Sequence, residues 1–336
     1  MHEALLYQKR DDETVRCSLC RHYCVIAPGK AGRCRVRTNI DGTLYSLVYG
    51  RVVAEHIDPV EKKPLFHFLP GSSTYSIATV GCNFRCLNCQ NYTIAQFDVA
   101  GGRIPGELLT PEEVVRRAVQ AGCRSISYTY TEPTIFFEYA LDVARLACRA
   151  GLKNIFVSNG YITPEALDMI APFLHAANID LKGFTEEFYQ RVTGAHLAGV
   201  LECLADYRKR GIWLEVTTLV IPAENDDQEQ LEGIARFIAE QLGVNVPWHI
   251  SRFFPQYRMT DHQATPPARL SEAVAAGQKA GLRYIYEGNL AGGREDTCCP
   301  ACGTPVIRRR GFEVVPADTM TGRCSSCTAE IAGVWK

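Results

Sequence analysis

Between residues 72 and 290 the chain alternates between two patterns. Short apolar runs rich in Val, Ile, Tyr and Thr, as expected of strands buried on both faces, give way to longer stretches whose apolar positions recur every three or four residues. The runs fall at 73–80, 124–129, 154–158, 176–181, 213–221, 246–253 and 282–286. The helical stretches fall at 110–121, 134–150, onward from 163, 200–210, 227–242 and 271–280. Thr110-Pro111-Glu112-Glu113 sets a capping hydroxyl before a proline and two acids, and Thr163-Pro164-Glu165 repeats the signal. Gly122, Gly151 and Gly211 stand where helices stop. Strand and helix in repetition require crossovers, hence a parallel sheet. The expectation is an α/β fold, a partial (β/α)6 TIM-like barrel over residues 71–290.

The flanks differ in texture. Residues 1–70 form a Cys-rich extension, in which 44–53 suggests a hairpin with Gly50 near its turn. The stretch 58–68 reads as an irregular connection with an apolar end. Past a glycine-rich boundary at 288–293, residues 291–336 carry strand-prone segments near 305–308 and 312–315.

Composition narrows the function classes. A length of 336 residues and 46% apolar content suit a globular chain with one barrel-sized domain and small appendages. A formal net charge of −1 gives no footprint for nucleic acid or an anionic membrane. The dense basic run Arg308-Arg309-Arg310 reads as a solvated strand end. The N-terminus does not resemble a signal peptide and no apolar run reaches spanning length, so a cytoplasmic location is expected.

The fifteen cysteines cluster, which in such a chain argues for metal rather than disulfides. Cys82, Cys86 and Cys89 lie within eight residues, on a loop leaving the first predicted strand after Gly81. Three thiolates on a [4Fe–4S] cluster leave one iron open to a ligand; a zinc knuckle lacking one ligand is the competing reading. In the extension, Cys17, Cys20 and Cys24 are joined by Cys34 across turns at Pro28-Gly29 and Gly32, as a Zn2+ site or a second iron–sulfur cluster. His22 reads as a surface residue or a substitute ligand. In the tail, Cys299 and Cys302 with Cys324 and Cys327 make two Cys-x2-Cys knuckles, the spacing of a zinc-ribbon-like domain. Cys298 breaks that spacing, and Cys123, Cys148 and Cys203 read as buried thiols.

In βα barrels the loops at the carboxyl ends of strands build the site. Those ends carry the cysteine loop, Tyr130-Thr131-Glu132-Pro133-Thr134, Ser158-Asn159-Gly160, Asp180-Leu181-Lys182-Gly183, Thr217-Thr218 and His249-Ile250-Ser251-Arg252.

The Cys-x3-Cys-x2-Cys loop after a strand and a glycine resembles the signature of radical SAM enzymes. The likeness is closest to the radical SAM component of the AmmeMemoRadiSam system, related to the pyruvate formate-lyase activating enzymes. It implies a [4Fe–4S] cluster on Cys82, Cys86 and Cys89 whose open iron binds S-adenosyl-L-methionine. Glu132 stands where the family has a Gly-Gly-Glu-Pro motif, although the glycines are Tyr130 and Thr131 here. Ser158 and Asn159 match the family's Asn-Gly element, and Asp180 with Lys182 its Asp-Leu-Lys element; these five would hold the cosubstrate. Asn88 stands where many members place an aromatic against the adenine, which Phe84 or Tyr92 would then supply. His249 heads a His-x-Ser-x-Phe-x-Pro-x-Tyr pattern expected to contact substrate. Implied partners are Memo-like and AMMECR-type proteins and an electron donor of the flavodoxin or ferredoxin class. A glycyl-radical-enzyme activase and a zinc-ribbon scaffold without radical chemistry are the alternatives.

Overall fold

The computed structural model describes residues 1–97, 103–315 and 321–336. The chain divides into two compact units, one of residues 1–58, 73–175 and 192–195, the other of residues 59–72, 176–191 and 196–336.

In the first unit, β1 (Ser73–Ala78), β2 (Ser125–Tyr128) and β3 (Lys153–Ser158) run parallel in that order, with Ser125 beside both Thr74 and Lys153. Every residue of β2 is buried, which is why its sequence shows no alternation. The crossovers are α1 (Pro111–Gln120) and α2 (Phe137–Arg149), followed by α3 (Pro164–Ile170). Both capping threonines act as their sequence suggests: Thr110 Oγ1 accepts from Glu113 N at 3.2 Å and Thr163 Oγ1 from Ala166 N at 3.3 Å.

The extension adds two small antiparallel sheets, Tyr7–Lys9 with Val15–Cys17 and Val25–Ile26, and His2–Glu3 with Thr43–Ser46 and Arg37–Ile40. The expected hairpin is therefore displaced. Its turn is Asp41-Gly42, both at positive φ as a two-residue hairpin turn requires, while Arg51–Val52 pairs instead with Glu107–Leu108. A buried bidentate pair at 2.8 Å, Arg37 with Glu138, fastens the extension to α2, and Glu138 also accepts from Leu5 N.

In the second unit, β4 (Ala176–Asp180), β5 (Trp213–Val220), β6 (Trp248–Arg252) and β7 (Ile285–Gly288) run parallel in order. Helices α4 (Leu197–Lys209), α5 (Gln228–Phe237) and α6 (Pro267–Lys279) connect them. The tail folds as a three-stranded antiparallel sheet of Thr297–Cys298, Pro305–Arg310 and Glu313–Val315. It shares one core with the connection ahead of β1: Phe66, Tyr284, Tyr286, Cys299, Val306, Cys324 and Ile331 pack together. Arg309 corrects the solvated reading of its basic run. It is buried, its guanidinium lies over the Phe66 ring at 4.2 Å, and it pairs with buried Glu61 at 3.7 Å.

All seven predicted strands are present, and among the described residues neither unit's ladder closes into a barrel. Among the described residues no helix is long and apolar enough to cross a membrane.

Candidate functional site

In the first unit three strand-end loops meet. The loop after β1 carries Cys82, Cys86 and Cys89; Cys82 Sγ receives Phe84 N at 3.4 Å and Asn159 Nδ2 at 3.7 Å. Asn159 Nδ2 also donates to Asn83 Oδ1 at 2.7 Å. Both asparagines are buried, yet Asn83 Nδ2 and Asn159 Oδ1 have no partner. One unpaired donor and one unpaired acceptor thus belong to two asparagines that bond each other, one of which also reaches a candidate metal-ligating sulfur. Buried polar groups are seldom left in that state without a ligand to satisfy them.

Glu132, after β2, is the clasp between loops. Its Oε1 accepts from Thr134 N at 3.0 Å, Thr134 Oγ1 at 2.6 Å and Ser158 Oγ at 2.8 Å, and its Oε2 from Asn159 N at 2.8 Å. Burial pushes its carboxyl up, and these donors oppose the shift. Ser158 Oγ in turn accepts from Gly160 N at 3.1 Å, so Ser158 is engaged on both sides. Tyr130 adopts the left-handed backbone that glycine favours, at φ 62°, and its hydroxyl donates to Asp58. Its carbonyl accepts from Asn91 Nδ2 at 2.7 Å. Phe84 is fully buried against Tyr161 and His22, whereas Tyr92 is exposed. His22 is half-buried rather than superficial, with Nε2 2.9 Å from Asn83 O.

In the second unit Lys182 Nζ donates to Asp180 Oδ2 at 2.7 Å, both partly exposed. The loop beneath is fixed by Tyr189 OH on Lys182 N at 3.0 Å and by Asn225 Nδ2 on Lys182 O at 2.6 Å. His249 is buried. Its Nε2 bonds Glu215 Oε2 at 2.6 Å, and its ring stacks on Tyr286 and meets Phe66 edge-on. Glu215 was not among the candidates in the sequence, yet it is the hub of this interior. It also accepts from Phe66 N at 3.0 Å, His67 N at 2.8 Å and Trp213 Nε1 at 3.0 Å. Burial, the largest influence on its carboxyl, opposes ionisation; the His249 contact and the other donors outweigh it and hold the group below its usual range. The signal available was a lone Glu within an apolar strand run.

The tail cysteines are gathered for a metal ion. The sulfurs of Cys299, Cys302, Cys324 and Cys327 all lie within 4.8 Å of one another, with 3.6 Å between Cys299 and Cys327 and between Cys302 and Cys324. Four thiolates on one tetrahedral ion with bonds of about 2.3 Å would stand roughly 3.8 Å apart. Cys17, Cys20, Cys24 and Cys34 line a single cavity in the extension.

Residues 76–238 match the model of the radical SAM superfamily. An uncharacterized protein of Methanocaldococcus jannaschii is 44% identical over 334 residues, covering 98% of this chain and 99% of that protein. The isethionate sulfite-lyase activating enzyme of Oleidesulfovibrio alaskensis is 30% identical over 139 residues, 40% of this chain and 44% of that enzyme. Among solved structures, a radical SAM methyltransferase from Sphaerobacter thermophilus shares the fold with a TM-score of 0.51 at 14% identity, over 68% of this chain and 70% of that one. Residues 76–238 thus carry a radical SAM domain, with homology to activating enzymes. Its residues fit the [4Fe–4S] cluster and S-adenosyl-L-methionine that the superfamily implies: three thiols on one loop, an N–H on the Cys82 sulfur, and unpaired amide groups beside it.

Proposed function

We propose that this chain is the radical SAM enzyme of an AmmeMemoRadiSam system, acting in the cytoplasm on a substrate presented with Memo-like and AMMECR-type proteins. The cluster and cosubstrate, when bound, supply a 5′-deoxyadenosyl radical for hydrogen abstraction once an electron donor of the flavodoxin or ferredoxin class has reduced the site. Cys82, Cys86 and Cys89 hold the cluster. The observation that carries the reading is the Asn83–Asn159 pair, whose free donor and free acceptor suit the carboxylate and ammonium of a methionine end. Glu132 and Ser158 lock the two loops that present this pair, and Asp180 with Lys182 supply a carboxylate and a cation for the remaining polar groups of the cosubstrate. His249 positions substrate through the wall it builds with Glu215. The tail ion is Zn2+, and the segments 1–70 and 291–336 support a catalytic piece at 71–290.

Anaerobic incubation with S-adenosyl-L-methionine and a strong reductant tests this. The expected result is 5′-deoxyadenosine formed by the wild type and not by Cys86→Ala, with a new product by mass spectrometry once the partner proteins are added. His249→Ala spares cosubstrate cleavage and abolishes turnover of that product. Protein that is folded and iron-loaded but makes no 5′-deoxyadenosine overturns the reading. A second reading, a glycyl-radical-enzyme activase, draws support from the activating-enzyme relative. A glycyl radical trapped on a partner would single it out.

A further inference from the structure

The extension holds a second set of four cysteines that the cosubstrate site does not use, and its construction differs from that of the tail. Cys17, Cys20, Cys24 and Cys34 line one cavity with Ile26 and Arg37. Arg33 N donates to Cys24 Sγ at 3.5 Å. Phe84 N stands in the same relation to Cys82. Such donors stabilise thiolate and cluster sulfur far more than a neutral thiol. The buried Arg37 places a positive charge near Cys17 and Cys34.

Spacing separates the two kinds of centre. Among the described residues, the tail quartet is the one set of three or more Cys, His, Asp or Glu ligand atoms drawn within 4.8 Å of one another, as a single ion demands. Among the described residues neither the extension quartet nor the Cys82, Cys86 and Cys89 triplet brings three sulfurs within 4.8 Å of one another. Wider spacing is what a cubane requires, because each thiolate binds a different iron. We propose that Cys17, Cys20, Cys24 and Cys34 hold a second, fully thiolate-ligated iron–sulfur cluster, built against the loop of the first. The two loops are joined directly. His22 Nε2 lies 2.9 Å from Asn83 O, the His22 ring packs on Phe84 and Tyr161, and Arg85 donates to Arg33 O.

The test uses the full chain, prepared and reconstituted without oxygen. The wild type binds about eight irons, and the variant with Cys82, Cys86 and Cys89 all changed to Ala keeps about four, with matching sulfide. After reduction that variant shows an electron paramagnetic resonance signal unmoved by S-adenosyl-L-methionine. Cys20→Ala with Cys24→Ala removes this signal and leaves the responsive one. An iron-free central variant with a wild-type circular dichroism spectrum overturns the proposal, as does a second equivalent of zinc held by the extension. Iron retained by the central variant, with a wild type that never responds to the cosubstrate, would instead sink the proposed activity and leave this cluster standing.

Discussion

Glu215→Gln keeps the shape of the side chain and changes one acceptor oxygen to an NH2. In the native protein the two carboxylate oxygens take four donors, Phe66 N with His249 Nε2 and His67 N with Trp213 Nε1, the first three away from solvent and the Trp213 contact part-buried. Turned toward His67 and Trp213, the new amide faces two donors that cannot reverse. Turned toward Phe66 and His249, it can donate to an imidazole that has shifted tautomer, and only Phe66 N is orphaned. The second orientation wins. One buried unsatisfied donor costs about 1–3 kcal/mol, and exchanging charged for neutral acceptors adds roughly another 1 kcal/mol. A total of about 2–4 kcal/mol lowers the midpoint of thermal unfolding by on the order of 10 °C in a unit of this size. Glu215→Ala strands all four donors, a cost comparable with a typical net stability of about 5–15 kcal/mol, so no folded protein is expected. Thermal unfolding followed by circular dichroism, with metal content matched to wild type, checks both. A Glu215→Gln midpoint within about 1 °C of wild type would refute the reasoning.

Three further outcomes are expected. Burial lowers His67 from 6.5 to about 4, so above pH 6.5 the ring is neutral in both folded and unfolded chains. Between pH 6.5 and 4 the unfolded chain takes up a proton the folded one refuses; stability then falls with pH by roughly 3 kcal/mol, at about 1.4 kcal/mol per unit, measured by urea titration across that range. Gly183→Ala sets a Cβ 2.8 Å from Phe188 Cε1 in the Asp180–Lys182 loop; overpacking should cost about 1–3 kcal/mol and weaken cosubstrate binding, read by calorimetry. Changing both Cys299 and Cys327 to Ser should release one metal ion per chain and alter the fluorescence of Trp335, which packs against the core that Cys299 joins.

The strands and helix starts were legible because they depend on local chemistry: apolar runs, Thr-Pro-Glu caps and terminal glycines. The cysteine sets were legible because ligand spacing is itself a sequence pattern. The hairpin was misplaced because Gly50 drew the turn away from Asp41-Gly42, a stronger turn pair. His22, Arg309 and Glu215 were misread or missed because each is polar by type yet withdrawn from solvent, His22 in part and the others fully, by tertiary pairing with partners 61, 248 and 34 residues away. No local pattern records a partner that distant. Tyr130 shows the reverse case: an aromatic residue takes a left-handed backbone that glycine favours, with its hydroxyl bonded to Asp58, and no local pattern announced it.

Arg309 makes the tail hard to sever. By composition the last forty-odd residues look like a detachable module, and trimming them would be the natural shortcut to a smaller enzyme. Cutting there strips Glu61 of its cation and Phe66 O of its donor inside a closed interior, and leaves the rings of Tyr284 and Tyr286 facing water. A truncated chain should therefore precipitate rather than work faster.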